Sequence, residues 1–457
     1  MKKMNSTAIG RRAFLTGSTG LFAALALPAA GQEGKDKAKA QEAANEGGEG
    51  KLIASAPMLQ NAAETSMGIA WAVSANANGF VDISESPDMA NSKRVKCGGY
   101  RVTGMNDKVI QVRLTGLKPA TRYYYRIGAD RIEYKGGYAM KRLGTEIDEK
   151  VRSFTTLGAA AESRFCVIND THERPTSMNL VFDKLAELAP PCVIWNGDAC
   201  NVQETVESLV SVFLNPNVKR KDYAAETPYI FCPGNHDQRG LAARHLEDVV
   251  MFRQPEERLS RDWDLGRNFS VRLGDIALIG LDTGEDRPDD AKVGAGLFSN
   301  APYREAQTDW LRDALRRPEI AEAPFLVTFC HIPLYSQKWT EGPVRKRDPM
   351  QAWRRRCLEI WGPLLDDAGC QLVVAGHNHK YSYKEKVPGH SWSQIVGGGP
   401  DLCRRFDREL KKTVEDEGRF PTVIEGKVED GMLKVTVHNV YRKTVAGEFK
   451  FASRKRS

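Results

Sequence analysis

The chain has 457 residues, of which 41% are hydrophobic and 27% are charged, the composition of an ordinary globular protein. This length allows two or three domains with a core large enough not to need disulfides. The formal net charge is +7, but four of these charges, on Lys2, Lys3, Arg11 and Arg12, lie in the first thirty residues, which leaves about +3 for the remainder. So mild a balance excludes an argument for nucleic-acid binding from charge alone.

The first thirty residues are typical of an export signal. Their basic positions are followed by an apolar run, Leu21–Leu27, and then by small residues, Ala29, Ala30 and Gly31. The segment Gly10–Leu15 resembles a twin-arginine signal, although Gly10 stands where Ser or Thr is usual. We therefore predict that residues 1–30 are a twin-arginine signal peptide and that the mature protein is exported, periplasmic or extracellular. A short membrane anchor is the alternative, but the run is well below the roughly 20 residues needed to cross a membrane.

The next two segments differ sharply in composition. Residues 31–50 contain mostly Gly, Ala, Lys, Glu and Gln, which predicts a disordered linker. Residues 51–157 contain short alternating runs separated by turn residues, which predicts an all-β sandwich. The runs are Met67–Val73, Phe80–Ser84, Val109–Leu114, Thr121–Ile127 and Val151–Thr155.

From residue 160 to residue 457 the pattern predicts an α/β domain that ends in further β-strands. Strand-like apolar runs are Phe165–Ile168, Val193–Trp195, Tyr229–Cys232, Ile276–Leu281, Phe325–Phe329 and Leu372–Ala375. Amphipathic helical stretches between them are Met178–Leu188, Arg304–Arg316 and Ala352–Leu365. After about residue 390 the β-like runs are Ser393–Val396, Thr422–Val428 and Met432–His438.

Polar clusters directly follow five of the strand-like runs. They are Asn169-Asp170-Thr171-His172, Asn196-Gly197-Asp198, Gly234-Asn235-His236-Asp237, His331, and Gly376-His377-Asn378-His379. Ligands of open α/β sheets bind at the carboxyl ends of strands, so we expect these clusters to converge on one edge. Imidazole, carboxylate and amide oxygen together suit Zn, Fe or Mn.

In this order, the five clusters resemble the calcineurin-like metallophosphoesterases over roughly Phe165 to His379, with a weaker likeness to about Pro400. In addition, Leu117–Gly128 and Ser153–Thr156 resemble the last strands of a fibronectin type III-like domain, which precedes the catalytic domain in purple acid phosphatases. The resemblance implies an N-terminal all-β sandwich followed by a four-layer α/β/β/α metallophosphoesterase domain. It also implies a metal-dependent phosphoric ester hydrolase.

The resemblance further implies a site with two divalent or trivalent metal ions. The first ion would be held by Asp170, His172, Asp198 and His379, and the second by Asp198, Asn235, His331 and His377, so that Asp198 bridges them. A hydroxide bridging the metals would be the nucleophile. His236 would contact the phosphate and assist the leaving group, and Asp237 would orient His236.

One departure from purple acid phosphatases is expected to matter. That family carries Asp-x-Gly in the first motif and a tyrosine three positions after the second-motif Asp, whereas this chain has His172 and Asn201 at these places. The tyrosinate ligand is therefore absent and His172 takes its place, so Fe(III) and an acid pH optimum are not implied.

Several other residues have two interpretations. Cys166, Cys192, Cys232 and Cys330 lie in apolar runs, so we expect buried thiols rather than disulfides. Cys200 is expected to pack passively rather than act as a ligand or redox group. The basic segments Arg345–Arg347 and Arg354–Arg356 favour a solvated helix face over a phosphate contact. Tyr335 and Trp339 are interpreted equally well as core or as substrate contacts.

The functional prediction is a phosphatase or phosphodiesterase that acts on a small-molecule phosphate ester. A nuclease remains an alternative, because the same type of site cleaves nucleic acid in relatives, but the mild charge leads us to expect no nucleic-acid partner. A non-catalytic exported binding or adhesion module on the same fold is the other alternative, and the complete ligand set argues against it.

Overall fold

The computed structural model describes residues 50–97, 104–252, 263–336, 349–402, 404–407, 412–415 and 417–455. The predicted signal peptide, and all of the predicted linker except Gly50, lie outside these residues. In the described part of the chain, no helix has the length and apolar character needed to cross a membrane.

Two large sheets form the centre of the molecule. The strands of the first sheet are β1 Met58–Gln60, β2 Ser66–Ala72, β5 Val109–Thr115, β9 Arg164–Ile168, β10 Val193–Asn196, β11 Tyr229–Cys232, β20 Thr422–Glu429, β21 Met432–Asn439 and β22 Thr444–Ala452. Those of the second are β12 Phe269–Leu273, β13 Ile276–Leu281, β14 Phe325–Cys330, β15 Leu372–Ala375, β16 Ser382–Lys384 and β17 Ser393–Val396. The nine strands of the first sheet lie in the order β22-β21-β20-β9-β10-β11-β1-β2-β5, and the six of the second in the order β12-β13-β14-β15-β17-β16.

Two smaller sheets and six α-helices complete the described elements. A five-stranded sheet contains β3 Ala77–Ser84, β4 Lys93–Lys96, β6 Arg122–Tyr134, β7 Met140–Ile147 and β8 Arg152–Thr155, and a ribbon pairs β18 Arg404–Asp407 with β19 Lys412–Glu415. The helices are α1 Pro175–Leu188, α2 Val206–Phe213, α3 Leu246–Val249, α4 Asn300–Arg316, α5 Pro318–Ala321 and α6 Pro349–Asp367. Short 3-10 helices cover His236–Gln238, Leu241–His245 and Lys292–Gly294.

The alternation of side chains along each strand produces four layers. Phe165 and Val167 of β9 face the second sheet and pack in the core between the sheets, whereas Cys166 and Ile168 of the same strand face outward, into the core that contains α1. The second sheet does the same, because its outer residues share a core with α4 and α6. The central strands of each sheet are thus buried on both faces, which explains the continuous apolar runs in the sequence. The predicted α/β/β/α arrangement is confirmed.

The N-terminal strands do not form an isolated sandwich. Strands β1, β2 and β5 extend the first large sheet, because β1 pairs in parallel with β11 through Gln60 and Tyr229. The five-stranded sheet packs on this extension, and residues from both contribute to the core between the two large sheets. A sheet-rich N-terminal domain followed by an α/β domain is therefore present, although its boundary at residues 157–160 stays a prediction.

The register of the parallel strands brings their carboxyl ends together. In the first sheet Asn196 at the end of β10 lies opposite Cys232 at the end of β11, and Trp195 lies opposite Ile168 of β9. In the second sheet Phe329 of β14 lies opposite Val374 of β15. The loops after these five strands therefore begin at one edge of the two packed sheets, where a ligand site is expected.

Candidate metal centre

The structure brings the seven predicted metal ligands together at this edge. Ligand atoms of two groups of side chains lie within 4.8 Å of one another: Asp170, His172, Asp198 and His379 form one, and Asp198, His331 and His377 form the other. The amide oxygen of Asn235, the seventh, lies 2.9 Å from Nδ1 of His377. Asp198 is common to both groups, and it is the position predicted to bridge two ions.

In the first group, imidazole and carboxylate atoms crowd a small space. Nε2 of His379 lies 3.2 Å from Oδ1 of Asp170, and Nε2 of His172 lies 3.6 Å from Oδ2 of Asp198. The two imidazole Nε2 atoms are only 2.8 Å apart. The Nδ1 hydrogen of His172 donates to Oδ1 of Asn201 at 3.0 Å, so its Nε2 carries the lone pair that a metal needs.

In the second group, His331 is fully buried and the charges require a cation. Its Nδ1 hydrogen donates to the Asn196 carbonyl at 2.9 Å, which leaves the Nε2 lone pair 3.0 Å from the Asp198 carboxylate. Burial lowers the pKa of His331, but the carboxylates of Asp198 and Asp170 outweigh it and raise the pKa to about 10. The negative field of the two buried carboxylates favours a bound cation, and imidazole and carboxylate atoms are ligands of divalent metals. The donor set therefore fits a metal.

Backbone contacts hold the loops close around these side chains. A Cβ on Gly234 would lie 2.3 Å from Oδ1 of Asp198, and one on Gly376 would lie 2.5 Å from Oδ2 of Asp170. The His377 amide donates to both carboxylate oxygens of Asp170, at 3.1 and 2.9 Å. Glycine is thus required at both positions, because a side chain would displace a ligand.

The structure corrects the expected role of Asp237. Its buried carboxylate accepts hydrogen bonds from the backbone amides of Asp198 (2.8 Å), Cys200 (3.0 Å) and Gly234 (2.7 Å). Nδ1 of His236 instead faces the Asn201 carbonyl at 3.1 Å. Asp237 therefore ties the second and third motif loops together rather than orienting the His236 ring.

Three supporting residues were not assigned a site role from the sequence. From the sequence, Asn201 was only the residue that stands where a tyrosine was expected. Its Oδ1 accepts from Nδ1 of His172, and its Nδ2 donates to the His172 carbonyl at 2.9 Å. Nη1 of Arg239 lies 2.9 Å from Nε2 of His236. Nη2 of Arg354 lies 2.8 Å from Nε2 of His377. Arg354 thus reaches the site, which overturns the expected solvated helix face for this position.

The cysteines singled out from the sequence are buried. Cys166, Cys192, Cys232 and Cys330 are buried free thiols, as predicted, and Cys200 is buried in the same core as α1. Tyr335 is buried in the core that contains α4 and α6. Trp339 and the segment Arg345–Arg347 lie outside the described residues. Nδ2 of Asn169, in the first polar cluster, donates to Oδ2 of Asp170 at 2.5 Å.

Two family models match the chain. Residues 163–381 match the calcineurin-like phosphoesterase model, and residues 56–156 match the purple acid phosphatase N-terminal domain. No curated protein matches the chain significantly. The first match includes all seven candidate ligands, His236 and Asp237.

Solved structures share the fold at low sequence identity. A purple acid phosphatase from yellow lupin (Lupinus luteus) seeds superposes with a TM-score of 0.59 at 15% identity, over 87% of this chain and 74% of that one. The structure of PhoD superposes with a TM-score of 0.57 at 12% identity, over 89% of this chain and 94% of that one. The chain thus joins a purple acid phosphatase N-terminal domain to a calcineurin-like phosphoesterase domain, and it is a metal-dependent phosphoester hydrolase.

Proposed function

We propose that the chain hydrolyses a small-molecule phosphate ester at a centre of two metal ions, drawn from Fe, Mn and Zn. The observation that carries this proposal is the position of Asp198, whose carboxylate belongs to both groups of ligand atoms. Asp170, His172 and His379 would complete the first site, and Asn235, His331 and His377 the second. When bound, the two ions would neutralise phosphoryl oxygens and lower the pKa of the attacking water.

The protein's own residues prepare this site before substrate arrives. Asn201 and the Asn196 carbonyl hold the Nδ1 hydrogens of His172 and His331, so that each Nε2 lone pair is available to a metal. Asp237 holds the backbone amides around Asp198 and Gly234 in place. Such fixed donors need no reorganisation during the reaction, which is the main source of electrostatic catalysis.

His236 is the side chain proposed to contact the phosphoryl group. Its backbone amide donates to Oδ1 of Asp198 at 2.9 Å, which holds the residue beside the ligand shared by both sites. Its Nδ1 hydrogen donates to the Asn201 carbonyl and its Nε2 faces Nη1 of Arg239 at 2.9 Å, so both side chains would border a phosphate oxygen bound here. We place His236 against the phosphate and the leaving oxygen.

Replacement of Asp198 by Asn tests the two-metal centre. The amide keeps the shape of the side chain but removes the negative charge that both ions would share, so at least one equivalent of metal and at least 100-fold in turnover of p-nitrophenyl phosphate should be lost. Asp183→Asn, an exposed residue paired with Arg220, is the matched control. Full turnover by Asp198→Asn would refute the proposal.

The ester class is assigned by a direct comparison of substrates. Protein reconstituted with Fe, Mn or Zn is offered p-nitrophenyl phosphate and, separately, bis(p-nitrophenyl) phosphate. A higher kcat/KM for the first assigns a monoesterase, and the reverse assigns a diesterase. Turnover of neither, by protein that holds metal, would favour a binding module.

Export is proposed from the N-terminal sequence alone. The pair Arg11-Arg12, followed by the apolar run Leu21–Leu27, supports a twin-arginine signal. Conversion of both arginines to lysine should retain the protein in the cytoplasm. Unchanged export of that double variant would argue against this route.

A further inference from the structure

Arg239 is clamped at the junction of three loops of the site. Its carbonyl accepts from the Gln203 amide at 2.9 Å, which ties it to the loop after β10. Its Nε and Nη2 donate to the two carboxylate oxygens of Glu285 at 3.0 and 2.7 Å, and Nη2 also reaches Asp286 at 3.0 Å. Glu285 is buried, so the fork holds the guanidinium in one orientation.

The clamp leaves one nitrogen of Arg239 for the site. Nη1 lies 2.9 Å from Nε2 of His236, and a guanidinium can only donate, so Nε2 accepts. The other ring nitrogen must then carry the hydrogen, in agreement with its 3.1 Å contact to the Asn201 carbonyl. The His236 contact uses one of the two hydrogens on Nη1. The second remains for an oxygen that binds against His236.

Resting on the proposed function, we propose that Arg239 is a substrate-binding residue whose Nη1 donates a hydrogen bond to a non-bridging oxygen of the phosphoryl group beside His236. Three features support this. The guanidinium is a preferred partner of phosphate oxygens. About a quarter of the Arg239 side chain is exposed, so a ligand has access to it. Its immobilisation by Glu285 and Asp286 removes most of the entropy loss that a free arginine would suffer on binding.

A purely structural ion pair is the competing explanation, and the chain offers a matched control for it. Arg356 makes the same fork with Glu305, through Nε at 2.6 Å and Nη2 at 3.2 Å, but this pair is exposed and joins α6 to α4. If Arg239 only tied loops together, its loss would lower stability without a specific loss of phosphate affinity, and the exposed Arg356 pair shows the effect of removing such a fork away from the site. If it binds phosphate, its loss has a separate signature.

The experiment compares Arg239→Gln, Arg239→Lys and Arg356→Gln in the metal-loaded full-length protein. The measurements are the Kd of inorganic phosphate by calorimetry, kcat and KM for p-nitrophenyl phosphate, metal content and melting temperature. Arg239→Gln should raise the phosphate Kd and KM about 10- to 100-fold, the range expected for one charge-assisted hydrogen bond, with metal content unchanged. Arg239→Lys should recover part of this loss, and Arg356→Gln should match the wild type.

The outcomes separate this inference from the proposed function. An unchanged phosphate Kd in Arg239→Gln, or an equal loss of affinity in Arg356→Gln, would overturn the role of Arg239. A fall in metal content or stability without a specific loss of phosphate affinity would assign it to the scaffold. Should Arg239→Gln fail to fold, Arg239→Lys decides, because it keeps the charge and loses the fork. Wild-type protein that binds phosphate but hydrolyses neither ester would refute the proposed function alone.

Discussion

At the scale of single residues, the candidate site is built from backbone conformations that side chains seldom adopt. Five of the seven candidate ligands have φ between 45° and 68°, in the left-handed region: Asp170, His172, Asp198, His377 and His379. Each such residue costs about 1–2 kcal/mol relative to the right-handed form. Hydrogen bonds from the Asp170 amide to Gly197 and from the His172 amide to Asp198, both 3.0 Å, hold two of them. Strain of this kind is concentrated at functional sites.

The pair of His172 and Asn201 is joined by two hydrogen bonds. The Asn201 side chain accepts from Nδ1 of His172 and donates to the His172 carbonyl. The two residues therefore support each other: the histidine supplies the nitrogen, and the asparagine selects its tautomer.

We predict that Asn201→Ala weakens metal binding without unfolding the protein. Loss of the acceptor leaves His172 free to rotate and to change tautomer, which should lower the affinity of the first site about 10- to 100-fold. Isothermal titration of metal-free protein with Zn or Mn measures the effect. Asn215→Ala, an exposed asparagine near Lys221, is the control. Equal affinities in the two variants would contradict the role assigned to Asn201.

At the scale of elements, long periodic stretches were predicted well and their ends less well. The stretch Arg304–Arg316 is part of α4, which begins four residues earlier, at Asn300. The Asp289 carboxylate accepts from the amides of Asn300 and Ala301 at 2.8 and 3.0 Å. Because this cap comes from outside the helix, no local pattern indicates where α4 begins.

The C-terminal end of helix α1, in contrast, is set by a local hydrogen bond, and it carries a residue that does not favour the backbone conformation there. Its C-terminal cap, Ala189, is left-handed, with φ 45°, where glycine is usual. Ala189 is exposed, and its amide donates to the Leu185 carbonyl at 2.8 Å. The Cβ of Ala189 is thus a source of strain without a compensating contact in a core.

We predict that Ala189→Gly stabilises the protein by about 0.5–1 kcal/mol, because glycine adopts this conformation without strain. The same substitution three residues earlier, Ala186→Gly, falls in the exposed helix interior and should destabilise by about 0.5–1 kcal/mol. Urea unfolding of the two variants checks the opposite signs. Equal shifts of both variants in one direction would show that the cap conformation is not responsible.

At the scale of the whole molecule, the N-terminal strands and the catalytic layers share one sheet and one core. The Gln60 side chain bonds the end of α3 and the segment after it: its Nε2 donates to the Val249 carbonyl at 3.0 Å, and its Oε1 accepts from the Met251 amide at 2.9 Å. The Tyr125 hydroxyl donates to the Ala225 carbonyl at 2.5 Å, just before β11. Removal of these strands would expose the edge of β11, whose loop carries Asn235 and His236.

We therefore predict that metal-free protein unfolds in a single transition rather than as two domains. The fluorescence of buried tryptophans reports both parts, with Trp71 in β2 and Trp195 in β10. Of the eight tryptophans, only Trp71 lies in residues 51–157, so Trp71→Phe reports the remainder of the chain and its difference from the wild type reports the N-terminal strands. Both signals should show the same midpoint as calorimetry. Separate midpoints would indicate independently folding domains.

The sequence by itself determined which elements form and which side chains are candidates for the chemistry. Apolar runs that are buried on both faces predicted β9, β10, β11, β14 and β15 to within a residue, and the polar residues after them named seven candidate ligands that the structure brings together. These signals are local, because strand periodicity and a short motif extend over fewer than about ten residues.

Only the tertiary structure decided how distant segments meet. Strand β1 pairs with β11, the carboxylates of Glu285 and Asp286 surround Arg239, and Asp237 accepts from three backbone amides. Each of these contacts joins residues that are far apart in sequence or lie within a turn. Hydrogen bonds of this kind follow from loop paths and sheet order, which no periodicity encodes. The candidate ligands could therefore be named from the sequence, while the residues that orient them depend on the fold.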